Sequence, residues 1–371
     1  MLSFWEQDAM LAADLIVIGG GLIGLQTALE YRSRRPHESI KVLERGLLPS
    51  GASSRNAGFA CFGSLTEIIH DIDAIGLDAT LLLVQRRREG LARMRRRLGD
   101  DAIAYEHAGG FELLTDAGLA ALERLDEVNR ALHPLFGAEV FSVDDAGLKA
   151  SGFGPRARVL IRNPFEGQLH AGKMMRALAK LAGEQCIEIH TGIDVGGLEP
   201  GHGTVHVRTR SGMAFEAARV AICTNALAAD LLPDSGIAPG RGQVLLTEPV
   251  PGLPWRGAHH IDQGFYYFRN VGDRVLLGGG RHLDFAGEAT GELVTTAAIQ
   301  SALERLLHEV ILPGRNACIT HRWAGIMGFS TGKQPIVRRI GQGMVLGFGC
   351  NGMGVALGAD IAAETAGLLL Q

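Results

Sequence analysis

Cysteine is scarce in this chain: Cys61, Cys186, Cys223, Cys318 and Cys350 are the only five in 371 residues. Their odd number, wide spacing and lack of any C-x-x-C argue against a disulfide framework and match a reducing compartment. No Cys and His spacing suited to a metal ion occurs. No apolar run reaches the length of a membrane span. Residues 1–13 carry Glu6 and Asp8 and lack the basic-then-apolar order of a secretory leader. A net charge of -4 gives no basis for general nucleic-acid affinity. These absences lead to the expectation of a cytoplasmic protein with no metal, no nucleic-acid partner and no integral membrane segment. Phe4 and Trp5 are expected to cap the first domain.

What is present is glycine, 51 residues of it, in a chain long enough for two domains. The most informative stretch is Asp14 to Glu44. Asp14-Leu15-Ile16-Val17-Ile18 reads as a buried parallel strand. Gly19-Gly20-Gly21 follows, and residues 22–30 carry helical spacing. Gly19, Gly21 and Gly24 thus form G-x-G-x-x-G between a strand and a helix. Each glycine has a physical task. Gly19 makes the tight turn, Gly21 lets a pyrophosphate approach the backbone, and Gly24 lets helix and strand pack closely. Leu22 and Ile23 open the helix, whose free N–H groups and dipole favour phosphate. A second strand, 39–43, ends at Glu44, about twenty residues on, where a carboxylate accepts from ribose hydroxyls. That carboxylate would repel a 2′-phosphate, so NADP is not expected. Arg45 follows at the mouth of the same site.

After Glu44 comes a loop, 45–63, far longer than an ordinary strand-to-helix connection. It contains Gly51-Ala52-Ser53-Ser54-Arg55-Asn56-Ala57-Gly58, followed by the apolar Phe59 to Phe62. Together with the glycine fingerprint, this loop resembles the D-amino-acid oxidase superfamily of FAD enzymes, whose members include glycine oxidase, sarcosine oxidase and γ-glutamylputrescine oxidase. The resemblance implies that Ser53, Ser54, Arg55, Asn56, Ala57 and Gly58 line FAD and that Phe59 approaches the flavin ring. The family pattern continues near the C-terminus. Trp323-Ala324-Gly325-Ile326-Met327 resembles its return strand, which places Gly325 at the cofactor. Gly349, Asn351, Gly352, Met353 and Gly354 sit in a glycine-rich turn before a closing helix. There, helix N–H groups would face the flavin edge that becomes negative on reduction. The strand 219–223 runs into Thr224, where the family commonly has Ala-Thr-Gly, so Thr224 is a further expected contact.

The implied fold is mixed α/β: a Rossmann-like FAD-binding domain from 1–82, 150–235 and 324–371, with a discontinuous antiparallel-sheet substrate domain from 83–149 and 236–323. Within that frame, 65–98 reads as a helix broken near Gly76 and bearing an Arg-rich face, with Leu82, Leu83, Leu91, Met94 and Leu98 turned inward. That face is expected to be solvated, with docking of an acidic electron acceptor as the competing use. Segment 103–105 reads as strand, 117–132 as helix, and 290–310 as mostly helix. His170 is expected to cap the helix from Ala171. Residues 264–269 and 274–281 read as a hairpin roofing the substrate, with Phe265 and Tyr267 on one face and Tyr266 on the other.

The resemblance implies oxidation of a C–N bond: hydride leaves a small amine or amino acid for flavin N5, and the imine is hydrolysed. Relatives that oxidise amino acids carry an Arg on the return strand to hold the carboxylate. Met327 stands there in this chain, and Arg281 is the expected substitute fork. Tyr266, Tyr267, His259, His260 and His282 are candidates to orient or deprotonate the substrate. Cys318 stands too early to attach the flavin, so FAD is expected to be non-covalent. Dioxygen or another acceptor would reoxidise it. Three other readings stay open: a 2-hydroxy-acid dehydrogenase resembling L-2-hydroxyglutarate dehydrogenase, an FAD-holding subunit without turnover of its own, and an NAD-linked dehydrogenase, for which the long loop is the poorest fit.

Overall fold

The computed structural model describes residues 3–371. The strand Ala12–Ile18 lies inside the first of two eight-stranded sheets, parallel to Ile40–Glu44 on one side and Ala214–Ile222 on the other. Leu15, Ile16 and Val17 are fully buried. A strand covered on both faces has no polar side to show, which is why it reads as a continuous apolar run. Glu188–Thr191 and Met344–Phe348 extend the parallel part at either side. Strand Ile336–Gly341 and the pair Val195–Pro200 and Val205–Thr209 add antiparallel edges. Helices Leu22–Arg34, Leu77–Leu98 and Gly354–Leu369 pack against one another beside this sheet.

The second sheet runs in the order Ile319–Phe329, Ala238–Thr247, Arg274–Gly279, Tyr266–Val271, Ala258–Ile261, Gly110–Leu114, Val159–Asn163, Ser142–Val143. All its pairs are antiparallel except Ala258–Ile261 with Gly110–Leu114. One face buries Phe268 and Leu277 against Ile299 and Leu303 of helix Ala297–Leu306. The other face looks toward the first sheet and roofs a cavity. Strand Ile319–Phe329 belongs wholly to this sheet, so a boundary at 324 falls inside one strand.

The Arg-rich helix differs from its expected use. The break is where expected, at Gly76, whose φ is +86°. Its arginines, however, mostly bind the protein itself. Arg87 is 1% exposed and donates to Phe62 O at 2.6 Å. Arg86 pairs with Asp360 and Glu364, both at 2.6 Å, Arg95 forks Asp100, and Arg93 and Arg97 reach Glu30. Leu83, Leu91 and Met94 are buried as expected, but Leu82 is exposed. One residue is about a hundred-degree turn of a helix, so Leu82 and Leu83 cannot share a narrow face.

Other expectations also change. Residues 103–105 end a short helix, Asp100–Ile103, with Ala104 left-handed at φ +47°. Segment 117–132 is a 3₁₀ stretch, Asp116–Arg124, followed by helix Leu125–Phe136, which carries Pro134 inside it and stops at left-handed Gly137. Residues 290–296 are not helical, because Gln243 Oε1 takes the Thr296 N–H from the neighbouring sheet. Phe4 and Trp5 sit on an N-terminal helix with no buried residue and are exposed, so they cap nothing. His170 does cap its helix, accepting from Lys173 N.

Candidate functional site

A cavity of about 540 Å³ opens between the two sheets. At one end it is made of backbone. Gly19 has a φ of +104°, and a Cβ there would stand 2.8 Å from Cys223 O. A Cβ on Gly24 would stand 1.9 Å from Gly19 O. Gly24 therefore does not line the cavity; it allows the helix to start against the strand, as expected of the third glycine. Glu44 reaches back across the turn, accepting from Gly20 N (2.8 Å) and Gly46 N (2.9 Å). Helices Leu22–Arg34 and Gly354–Leu369 both begin at this cavity with no capping side chain of their own. Ser53 Oγ, from the long loop, accepts the Leu22 N–H at 2.8 Å.

The long loop folds as one helical turn, Ala52–Arg55, and a short strand, Phe59–Ala60, paired with Gly167–Gln168. Ser53, Arg55, Asn56, Ala57, Gly58 and Phe59 line the cavity. Ser54 does not: its hydroxyl donates to Pro49 O inside the loop. Asn56 ties the turn by donating to Ser53 O and accepting from Gly58 N. Arg55 joins the loop to the second sheet, donating to Ala324 O at 3.1 Å while Trp323 Nε1 donates to Arg55 O at 2.9 Å.

Gly19, Gly21, Leu22, Ile23, Glu44, Arg45, Thr224, Gly325, Asn351, Gly352, Met353 and Gly354 also line the cavity. Gly349 does not. It turns toward Ile336, whose N would be 3.2 Å from an added Cβ. Asn351 holds the turn after it, accepting from Ser330 N and donating to Gly349 O, both at 2.8 Å. Thr224 Oγ1 and Asn225 Oδ1 are buried at the cavity without a hydrogen-bond partner. Unpartnered buried polar atoms beside two helix starts, one of them met only at Leu22 N by Ser53, suit a large polar ligand with anionic groups.

The other end is made of side chains on the second sheet. Met327 pairs across strands with Gly240, and a Cβ on Gly240 would stand 2.9 Å from Arg281 Nε. Arg281 therefore lies over the ladder beside Met327. Its guanidinium rests on Phe329 at 4.3 Å and Phe285 at 5.0 Å, and its buried Nε has no partner. Burial pulls its pKa down, against the pull of Glu288. Glu288 is itself buried and forked by Arg241 at 2.9 and 2.7 Å, which pins the segment after Arg281 to the sheet. Tyr267 lines the cavity with its ring edge-on to Phe59, and burial pushes its hydroxyl up to about 12.

Tyr266 is displaced from the expected set. It points to the opposite face and packs on the second core and on His282. His259 is also core, stacked between Phe111 and Phe268, with burial pushing it down to about 3. His282 faces Asp262 at 3.5 Å and is not among the lining residues. His260 does line the cavity. Glu67, His70 and Lys333 join it there without having been singled out from the sequence. Ser64-x-x-Glu67 reads as a helix start, and Ser64 does cap it, which masks the carboxylate's second location. Nothing in the sequence marks Lys333.

Among the described residues, no group of three or more His, Cys, Asp or Glu is placed to hold a metal, and no helix is long and apolar enough to cross a membrane. A family model described as "FAD dependent oxidoreductase" matches residues 14–368. Among curated proteins, "Probable oxidoreductase OrdL" of Rhizobium meliloti is 27% identical over 359 residues, covering 93% of this chain and 80% of that protein. L-2-hydroxyglutarate dehydrogenase of Escherichia coli K12 is 24% identical over 327 residues, covering 79% and 72%. Among solved structures, glycine oxidase from Geobacillus kaustophilus superposes with a TM-score of 0.77 at 21% identity, covering 97% of this chain and 95% of that one.

Proposed function

Because the chain belongs to the FAD dependent oxidoreductase family, we propose that it oxidises the C–N bond of a small amine or amino acid whose carboxylate is gripped by Arg281. The observation that carries this is the Arg281 guanidinium with its unpartnered Nε, in the cavity beside the Met327 position. A planar fork matches a carboxylate bidentately, and the Phe329 and Phe285 rings hold that fork in one plane. The cavity's two ends fit the cofactor and the substrate respectively. Glu44 would take the ribose, the Gly19–Gly21 turn and Ser53 the pyrophosphate, and the Gly352–Gly354 turn the flavin edge.

FAD, when bound, supplies the acceptor for a hydride, which no side chain of this chain offers. The protein's own contribution is position and exclusion of water. Phe59, Tyr267 and Met327 give the reacting region apolar walls. Tyr267 stays protonated at neutral pH and offers an O–H donor to a substrate oxygen or nitrogen. The lining cysteines are poor attachment points: burial pushes the Cys223 and Cys350 thiols up to about 12 and that of Cys61 well above its ordinary value. The thiolate is the nucleophile, so these shifts support the reading of FAD as non-covalent.

A 2-hydroxy acid is the second reading, favoured by the similarity to L-2-hydroxyglutarate dehydrogenase. Arg281 would serve that carboxylate equally well. Both readings are tested by anaerobic addition of amines, N-methyl and α-amino acids, and 2-hydroxy acids to the purified holoenzyme. Bleaching of the flavin band by amines or amino acids supports the first reading; bleaching by hydroxy acids alone replaces it with the second. Readmitted air then separates dioxygen from another acceptor by the rate at which colour returns. A flavin that no compound bleaches would point to an FAD-holding subunit of a complex.

A further inference from the structure

His260 is 7% exposed, and neither of its ring nitrogens has a hydrogen-bond partner. A buried imidazole loses water's hydrogen bonds on both nitrogens, so leaving both unmet is costly unless a ligand meets them. The ring lines the cavity, edge-on to Phe59 at 5.2 Å. Its strand, Ala258–Ile261, places it between two cross-strand neighbours on the same face, Tyr267 on one side and Glu112 on the other. Behind it lies a void of about 10 Å³, bordered by Ser64, Asn163, Glu112 and Glu166. That is about the volume one water needs.

The charges around this ring are unevenly arranged. On the cavity side, the point where a Gly264 side chain would begin is 3.6 Å from His260 Nδ1 and 3.8 Å from Glu67 Oε2. Burial opposes ionisation of Glu67, but Arg87 at 3.4 Å and Lys333 at 3.9 Å outweigh it and hold the carboxyl below its usual range. On the void side Arg87 pulls on Glu166 only weakly and burial outweighs it. Burial raises Glu112, despite bonds from Thr66 and Ser64, and pushes Glu166 up to about 8, despite the Phe62 and Gly63 N–H groups. At neutral pH Glu166 is therefore largely protonated, and burial shifts Glu112 in the same direction. Burial lowers His260 itself, with Glu67 pulling the other way. The ring rests neutral beside one ionised carboxylate.

We propose that His260 is the group that takes up the substrate's N–H or O–H proton, with Glu67 as the positioning residue that carries the counter-charge. This rests on the substrate reading given above and adds to it the group that accepts the proton. As the substrate's C–H hydrogen leaves with its electron pair as hydride, for which bound FAD would be the acceptor, the adjacent N–H or O–H proton passes to a His260 ring nitrogen. The electron pair of that bond becomes the new C=N or C=O. Glu67 lowers the energy of the imidazolium so formed, because opposite charges interact strongly away from water.

The test compares wild type, His260→Gln and Glu67→Gln as purified holoenzymes. The first measurement is anaerobic flavin reduction, across pH 6–10, by the compound class that bleaches the wild type. His260→Gln should slow reduction roughly 100- to 1,000-fold, the usual worth of general base catalysis. The residual rate should climb with pH as hydroxide or the free amine replaces the imidazole. Glu67→Gln should slow it less and move the acid limb of the wild-type profile, which a purely structural residue would not do. The second measurement needs no turnover. Histidine-labelled holoenzyme is observed by nitrogen NMR with and without 2-aminoisobutyrate, an amino acid with no Cα–H to oxidise. The His260 signal, identified by its loss in His260→Gln, should shift on binding as a ring nitrogen accepts a hydrogen bond from the ligand's amine. An unchanged rate and pH profile in His260→Gln, or a His260 signal that bound 2-aminoisobutyrate does not move, overturns the proposal alone. If no compound bleaches the wild type, the substrate reading falls and takes this proposal with it.

Discussion

Around the Gly19–Gly24 turn the cavity presents main-chain groups and two helix starts; around Arg281 and His260 it presents side chains carried on a sheet. The first end is rigid by covalent geometry. Its tolerances are set by contacts such as the 1.9 Å that a Gly24 Cβ would have to Gly19 O. The second end is rigid only through packing and ion pairs, as where Arg241 and Gln243 hold Glu288 under the segment that follows Arg281. Main-chain geometry suits a ligand that does not vary. Side chains on a scaffold suit a ligand that differs between relatives, because they change without moving the strands.

This contrast breaks most sharply at Gly24. Gly24→Val should abolish flavin binding, lowering flavin absorbance per protein by more than about tenfold, since overpacking against backbone has no cheap relaxation. An intact holo-variant would show that the turn is more compliant than its contacts imply. Next in size is Glu288→Ala. It leaves Arg241, which is 4% exposed, without its partner, at a cost of about 3–5 kcal/mol in denaturant unfolding. Below that comes Arg281→Met. It should weaken binding of a carboxylate ligand roughly 100-fold, on the order of 3 kcal/mol for a charged bidentate pair, and leave the flavin content unchanged. Loss of flavin in this variant would erase the distinction between the two ends.

The smallest effect concerns pH. Glu166 is raised to about 8 in the fold, so its contribution to stability is complete below the ordinary carboxyl range and is lost as pH rises through about 8. Glu166→Gln should therefore raise Tm relative to wild type at pH 8 and not at pH 4, followed by thermal unfolding at both values. Equal Tm differences at the two pH values would show that Glu166 is ionised in the fold.

The same contrast explains what was legible beforehand. Gly19, Gly21, Gly24 and Glu44 announce themselves because few residue types satisfy the backbone at those points, and the spacing is local. Arg281 is proposed through a gap, the Met327 position that lacks an arginine, and Gly240 lies against both residues. Glu67 and Lys333 were not legible. They reach the cavity from a helix and a loop that only the packed fold brings together. Ser54 and Gly349 went wrong for a local reason: each sits inside a functional loop with its side chain position turned inward, one to Pro49 O and the other to Ile336. Tyr266 shows what the strand period enforces, since adjacent residues Tyr266 and Tyr267 cannot both face the cavity.

Two hydrogen bonds, from Arg55 to Ala324 O and from Trp323 Nε1 to Arg55 O, close the long loop against the opposite sheet. Loop and sheet are thereby one mechanical unit, so a change at Trp323 acts on a cofactor loop that lies far from it in the chain.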